Sequence, residues 1–162
     1  MAFCFNVDEM LKMAEKIERN GAAFYRAAAE QATDDAIRGR LVELAEMEDG
    51  HVALFAKMRG ELSAEETASK TYDPESEVGQ YLDAMADAGV FHQDAEQAAL
   101  VAGKSTRQIL EMALGFEKDS ILFYLGLQSS LCNVANKERL DAVLKEEMSH
   151  VALIRGQLEG LK

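Results

Sequence analysis

The sequence has few of the residues that break helices or crosslink chains. Its 162 residues include one proline, two cysteines and no tryptophan. Because alanine, leucine, glutamate and methionine are abundant while β-branched residues are sparse, the composition favours helices over strands. Cys4 and Cys132 belong to no C-x-x-C pair, so they indicate neither a thiolate metal site nor a disulfide framework. We therefore expect an all-α protein in a reducing compartment, the cytoplasm.

Positive charge and long apolar runs are also scarce. The 17 lysines and arginines are outnumbered by 29 aspartates and glutamates, and the formal net charge is −12. Such a chain repels phosphate backbones and anionic lipid surfaces, so we expect neither nucleic acid nor a membrane as a partner. No apolar run approaches the roughly 20 residues that span a bilayer. The N-terminus lacks the positive charge of a signal peptide, and the length indicates one domain over residues 1–162.

What the sequence does contain is an internal repeat. The letters EDGHVALF and EEMSHVALI each carry Glu-x-x-His-Val-Ala-Leu, and a shift of 99 residues superimposes the two copies. The same shift aligns Glu18 with Glu117 and Tyr25 with Tyr124. Self-similarity of this kind indicates two copies of one supersecondary unit.

The unit is predicted to be a helical hairpin. Apolar residues recur every three or four positions in four segments, which is the pattern of amphipathic helices. Hairpin one is expected at about 7–60 and hairpin two at about 105–160, joined by a crossover at about 61–104. Thr33 or Asp34 is predicted to cap the second helix, and Ser105 or Thr106 the third. We expect the crossover to run the length of a four-helix bundle and to start the third helix at the same end as the first.

Each predicted inner stripe is apolar except in its middle, where glutamates and histidines lie. Glu18 and Glu48 are both fifteen residues from Thr33, and Glu117 and Glu147 are both fifteen residues from Cys132. At 1.5 Å per residue, antiparallel helices place each pair at one height, about 22 Å from its turn. The four carboxylates should therefore meet inside the bundle, together with His51 and His150.

Four buried carboxylates repel one another unless protons or cations compensate their charge. Two divalent ions balance four carboxylates, and Glu-x-x-His places both side chains on one helix face. Di-iron carboxylate bundles use one Glu from each of two helices and Glu-x-x-His from each of the other two. Oxygen and imidazole ligands suit iron first, with manganese or zinc possible. The predicted ligands of two iron ions are Glu18, Glu48, His51, Glu117, Glu147 and His150, with Glu18 and Glu117 free to bridge or chelate.

The segments KIERNGAAFYRAAAE and GFEKDSILFY, together with the two Glu-x-x-His motifs and the crossover letters YLDAMADAGVF, resemble the rubrerythrin family. The resemblance implies a ferritin-like four-helix bundle with a long helical crossover between helices two and three. It also implies the same six metal ligands and places Tyr25 and Tyr124 beside them as catalytic hydrogen-bond donors. The implied activity is an oxidoreductase reaction with hydrogen peroxide or dioxygen, as in oxidative-stress defence. Because the rubredoxin-like C-x-x-C pairs are absent, the electron donor would be a separate protein.

Some positions depart from that family or lie outside its pattern. The family often has a seventh carboxylate on the third helix, where this chain has Leu114 and Ser120. Glu15 could replace it, although a solvated or hairpin-edge position is the expected one. His92 is expected in a loop or cap.

Several other residues are expected to have structural roles. We expect Glu146 to face solvent and Met47 to serve in packing. Three mid-helix glycines, each within three residues of a predicted ligand, permit either close helix approach or oxidant access: Gly21, Gly50 and Gly115.

Two other functions fit the same residues. A ferroxidase or iron-handling protein is one, since bacterioferritins also carry two Glu-x-x-His motifs, although the longer crossover here argues against their shell assembly. A metal-binding module without turnover is the other. Because bundles of this type often pair through exposed helix faces, we expect a homodimer.

Overall fold

The structure is a computed structural model that describes residues 7–68, 97–131 and 133–161. The four long helices are α1 (Val7–Gln31), α2 (Asp35–Gly60), α5 (Thr106–Ser130) and α6 (Val134–Gly160). Two short helices, α3 (Ala64–Ala68) and α4 (Gln97–Val101), lie in the crossover and pack against α1. No strand occurs in these three ranges. The predicted all-α four-helix bundle is confirmed, while the predicted helix at YLDAMADAGVF, like His92, Cys4 and Cys132, lies outside the described residues.

The helix starts follow local capping chemistry. Asp34 caps α2 by accepting hydrogen bonds from the amides of Ala36 and Ile37 at 2.8 and 3.0 Å. Ser105 and Gln108 form a reciprocal capping box at the start of α5. Asn133 caps α6, so the polar residue at the second hairpin turn satisfies an amide that the helix leaves unpaired.

The helix directions show how the two hairpins meet. Arg59 near the end of α2 lies 3.5 Å from Asp8 at the start of α1, so these helices are antiparallel. Arg139 at the start of α6 pairs with Glu61 just after α2, and Tyr25 and Tyr124 donate to Glu117 and Glu18 respectively. Hence α2 and α6 are antiparallel, and so are α1 and α5.

The expected position of the third helix is therefore wrong. α5 starts at the end of the bundle where α1 finishes, because the chain leaves α2 at one end of the bundle and enters α5 at the other. The two hairpins are consequently related by an approximate twofold axis perpendicular to the helices. Contacts between them come in reciprocal pairs, as in an isologous interface.

The predicted inner stripes form the core. Buried residues recur every three or four positions along the long helices, for example Leu41, Leu44 and Glu48 in α2. Aromatic side chains widen the core beside the stripes: Phe24 and Phe116 meet edge to face with ring centroids 4.9 Å apart. Within the described ranges no helix is both long and apolar enough to cross a membrane.

Two of the mid-helix glycines are exposed, and neither permits close helix approach. A methyl group added at Gly50 or Gly115 would meet no atom within 4 Å. Replacing either glycine with alanine should therefore raise the free energy of unfolding by about 1 kcal/mol, since alanine has the higher helix propensity. Urea denaturation of the metal-free protein measures the change.

Gly103 provides the matched control. It lies in the turn after α4 with φ near 70°, where an L side chain is strained, so Gly103→Ala should destabilise the fold by about 1 kcal/mol. Loss of stability in Gly50→Ala or Gly115→Ala would show that these positions need the absence of a side chain.

Candidate metal centre

All six predicted ligands converge in the middle of the bundle. They come from four different helices, and each is at most 3% exposed. Their candidate ligand atoms form two groups of four, and within each group all atoms lie within 4.8 Å of one another. The first group is Glu18, Glu48, His51 and Glu147, and the second is Glu48, Glu117, Glu147 and His150.

Glu48 and Glu147 belong to both groups, whereas Glu18 and Glu117 each belong to one. The shared carboxylates are thus those of the Glu-x-x-His motifs, and the expectation that Glu18 and Glu117 bridge or chelate stays a prediction. The sharing follows from the antiparallel meeting of α2 and α6. It directs each motif's glutamate towards the other motif's histidine, with Glu147 Oε1 3.0 Å from His51 Nδ1 and Glu48 Oε1 3.4 Å from His150 Nδ1.

The spacing of the ligand atoms suits binding to a common cation better than hydrogen bonding among the side chains. His150 Nδ1 lies 3.4 Å from an oxygen of each of Glu48, Glu117 and Glu147, yet it makes no hydrogen bond. Glu147 Oε1 also lacks a hydrogen-bond partner. Bonds of about 2.1 Å to a common ion place neighbouring ligand atoms about 3.0 to 3.4 Å apart. The cluster is therefore able to bind metal, and its residues suit a di-metal site.

The two tyrosines connect the hairpins across the cluster. The Tyr25 hydroxyl on α1 donates a hydrogen bond to Glu117 on α5, and the Tyr124 hydroxyl on α5 donates to Glu18 on α1. Both side chains are fully buried. These bonds orient the two unshared carboxylates. A catalytic role for either tyrosine stays a prediction.

The outer nitrogens of the two histidines have partners that the sequence reasoning missed. His51 Nε2 lies 2.9 Å from Glu146 Oε2, and His150 Nε2 lies 3.2 Å from Met47 Sδ. Glu146 is indeed 58% exposed and Met47 is 42% exposed, but each contacts an imidazole of the opposite hairpin. The available signal was the repeat, because Met47 and Glu146 are equivalent positions immediately before the two motif glutamates.

Glu15 does not join the cluster. The expected solvated position is wrong, because Glu15 is only 3% exposed. It pairs with Arg19 at 2.6 Å and with Arg59 at 2.8 Å, and these two cations compensate the burial of its charge. Ser120, where a seventh carboxylate was considered, is buried.

In the metal-free protein, protons compensate part of the repulsion. Burial raises the pKa of Glu18 well above its usual value and that of Glu117 to about 8. Burial alone would lower the pKa of His150, but the nearby carboxylates of Glu117, Glu147 and Glu48 raise it to about 12. The carboxylates of Glu147, Glu18 and Glu48 likewise raise the pKa of His51. Burial opposes ionisation of Glu147, yet the two neighbouring imidazoles lower its pKa overall.

Comparison with known proteins agrees with this architecture. The sequence matches the family described as the ferritin-like domain over residues 6–160. The fold matches a crystal structure described as that of a ferritin-like diiron-carboxylate protein from Thermotoga maritima. The TM-score is 0.77 with 21% sequence identity, and 98% of each chain is covered. No curated protein matches the sequence.

The metal-free protein should become less stable as pH rises from 5 to 8. Glu117 binds its proton more tightly in the folded state, so its contribution is complete below pH 4.5 and is lost as pH rises through about 8. Glu18 and both histidines act in the same direction, and the lowered pKa of Glu147 matters only in more acidic solution. Urea midpoints of chelator-treated protein across this pH range provide the measurement.

Glu117→Gln should reduce this pH dependence, because the amide does not titrate. A redox-inert divalent ion should raise the midpoint most at high pH, since metal binding displaces the protons. A midpoint that is constant or rises between pH 5 and 8 in the metal-free protein would contradict the proton arrangement.

Proposed function

The chain belongs to the family of ferritin-like domains, and from this premise we propose that its buried cluster binds two iron ions that reduce hydrogen peroxide. The supporting observation is the sharing of Glu48 and Glu147 between two groups of four ligand atoms. Carboxylates that belong to both groups could bind two cations, and two ferrous ions would together supply two electrons.

Charge balance supports two divalent ions. The four cluster glutamates carry four negative charges when ionised, and two divalent ions supply four positive charges. Within the described ranges, no ion pair joins a lysine or arginine to any of these four glutamates. Each of the two groups pairs three carboxylates with one imidazole, a donor set without thiolate that suits iron or manganese.

Two ferrous ions supply one electron each, which is the number that converts one hydrogen peroxide molecule and two protons into two water molecules. The protein's own residues fix the reacting geometry. Glu48 and Glu147 would contribute ligand atoms to both ions, and His51 and His150 would each contribute to one. The hydroxyls of Tyr25 and Tyr124 orient the unshared carboxylates and reduce their negative charge.

The rubrerythrin resemblance of the sequence favours peroxide over dioxygen as the oxidant. Electrons would come from a separate donor protein, because the chain has no C-x-x-C pair for a second iron site. A homodimer is the proposed assembly.

Protein purified under low oxygen without chelator should contain two iron ions per chain. After ferrous loading it should consume about one peroxide per two irons in a single turnover. Glu46→Ala, on the exposed face of α2, is the control and should leave both values unchanged. Bound iron without peroxide loss would indicate a metal-binding module. Rapid oxidation by dioxygen with iron release into a mineral would favour iron handling, and early elution on gel filtration would reveal a shell.

Substitution of shared and unshared glutamates should have different effects on stoichiometry. Glu48→Ala removes a ligand from both groups and should abolish binding of both ions. Glu18→Ala removes a ligand only from the His51 group and should leave one ion bound at the His150 group. Metal content after desalting measures the difference, and circular dichroism checks that both variants fold. Equal losses in the two variants would contradict the shared role of Glu48.

A further inference from the structure

The two ends of the cluster differ in what holds the outer nitrogen of each histidine. His51 Nε2 contacts the Glu146 carboxylate at 2.9 Å, whereas His150 Nε2 contacts the Met47 thioether at 3.2 Å. Met47 and Glu146 occupy equivalent positions in the 99-residue repeat. The two contacts are therefore related by the approximate twofold axis, but different chemical groups make them.

The contacts on the inner side of the cluster are reciprocal by contrast. Tyr25 donates to Glu117 and Tyr124 donates to Glu18, which are symmetry-related bonds. Glu48 and Glu147 are shared in the same way. The two hairpins therefore differ chemically at Met47 and Glu146, whose side chains contact the candidate ligands.

The two outer groups act differently on an imidazole. A carboxylate accepts a strong, charge-assisted hydrogen bond from Nε2–H, which fixes the ring and leaves the Nδ1 lone pair directed at the cluster. A thioether sulfur is a weak, uncharged acceptor. Glu146 also adds one negative charge beside the His51 end, and Met47 adds none at the His150 end.

We propose that Met47 and Glu146 make the two metal positions unequal, so that the position beside His51 binds its cation more tightly and fills first. This inference rests on the proposed function only in requiring that the cluster bind two cations. Glu146 and Met47 are positioning residues in this proposal, since each acts on a cation through a histidine.

Titration of the full-length, metal-free chain with cobalt(II), followed by absorbance and calorimetry, tests the proposal. Two cations that share carboxylates repel each other, so two binding steps are expected even for two equal positions. The variants distinguish equal from unequal positions, because outer partners of a ligating histidine change metal affinity about 10- to 100-fold. Glu146→Met should weaken the first step by that factor, and Met47→Glu should tighten the second step by a similar factor. Met47→Leu, which removes only the sulfur, should change neither step by more than a few-fold.

Nuclear magnetic resonance of the histidine rings during addition of zinc shows which metal position fills first. One equivalent of zinc should shift the His51 ring nitrogens before those of His150, with assignments from His51→Gln and His150→Gln. The double exchange Met47→Glu with Glu146→Met should reverse this order.

The outcomes separate the inference from the proposed function. The inference alone would be overturned if the chain bound two cobalt ions but Glu146→Met left the affinity of the first step unchanged. The same holds if Met47→Glu left the affinity of the second step unchanged. Equal shifts of both histidines at one equivalent of zinc would also overturn it. A wild-type chain that binds no cobalt would instead refute the proposed function, and the inference with it.

Discussion

The mutual repulsion of four glutamates at one level of the bundle is the constraint on which the structure depends. Carboxylates a few ångströms apart in a poorly solvated interior cannot all be ionised without compensation. In the metal-free fold the raised pKa values of Glu18, Glu117 and both histidines favour their protonated forms, and the two tyrosine hydroxyls donate hydrogen bonds to Glu117 and Glu18. Both effects reduce the repulsion. The apolar layers above and below, which include Leu11 and Leu44, keep the cluster in place because the helices extend well beyond it in both directions.

The approximate twofold determines how this repulsion is shared between the hairpins. Since α1 opposes α5 and α2 opposes α6 in antiparallel directions, each hairpin supplies the groups that compensate the other. Tyr25 reaches Glu117, Glu147 reaches His51, and the reciprocal contacts follow from symmetry. Each histidine also lies near carboxylates of its own hairpin, so compensation comes from both sides of the interface.

The sequence predicted the fold and the six clustered residues because both depend on regular spacing. Helical periodicity identified the stripes, and equal distances from the turns placed Glu18 beside Glu48 and Glu117 beside Glu147. Spacing along one helix does not reveal which residues of two helices meet across an interface, so the shared positions of Glu48 and Glu147 were missed. The same limit hid the contact of exposed Glu146 with His51 and the burial of Glu15 beside Arg59.

The two copies also show how this chain treats a buried charge. Glu15 is buried beside Arg59, and the equivalent positions in the second hairpin are the apolar Leu114 and Leu158. Both partners are therefore charged in the first hairpin and both are apolar in the second, which agrees with the high cost of an unpaired buried charge. The cluster glutamates follow a different pattern, since they are buried in both copies without an arginine or lysine partner in the described ranges. Histidines and tyrosine hydroxyls compensate only part of this charge, and the remaining negative charge, more than any single motif, argues for a pair of cations.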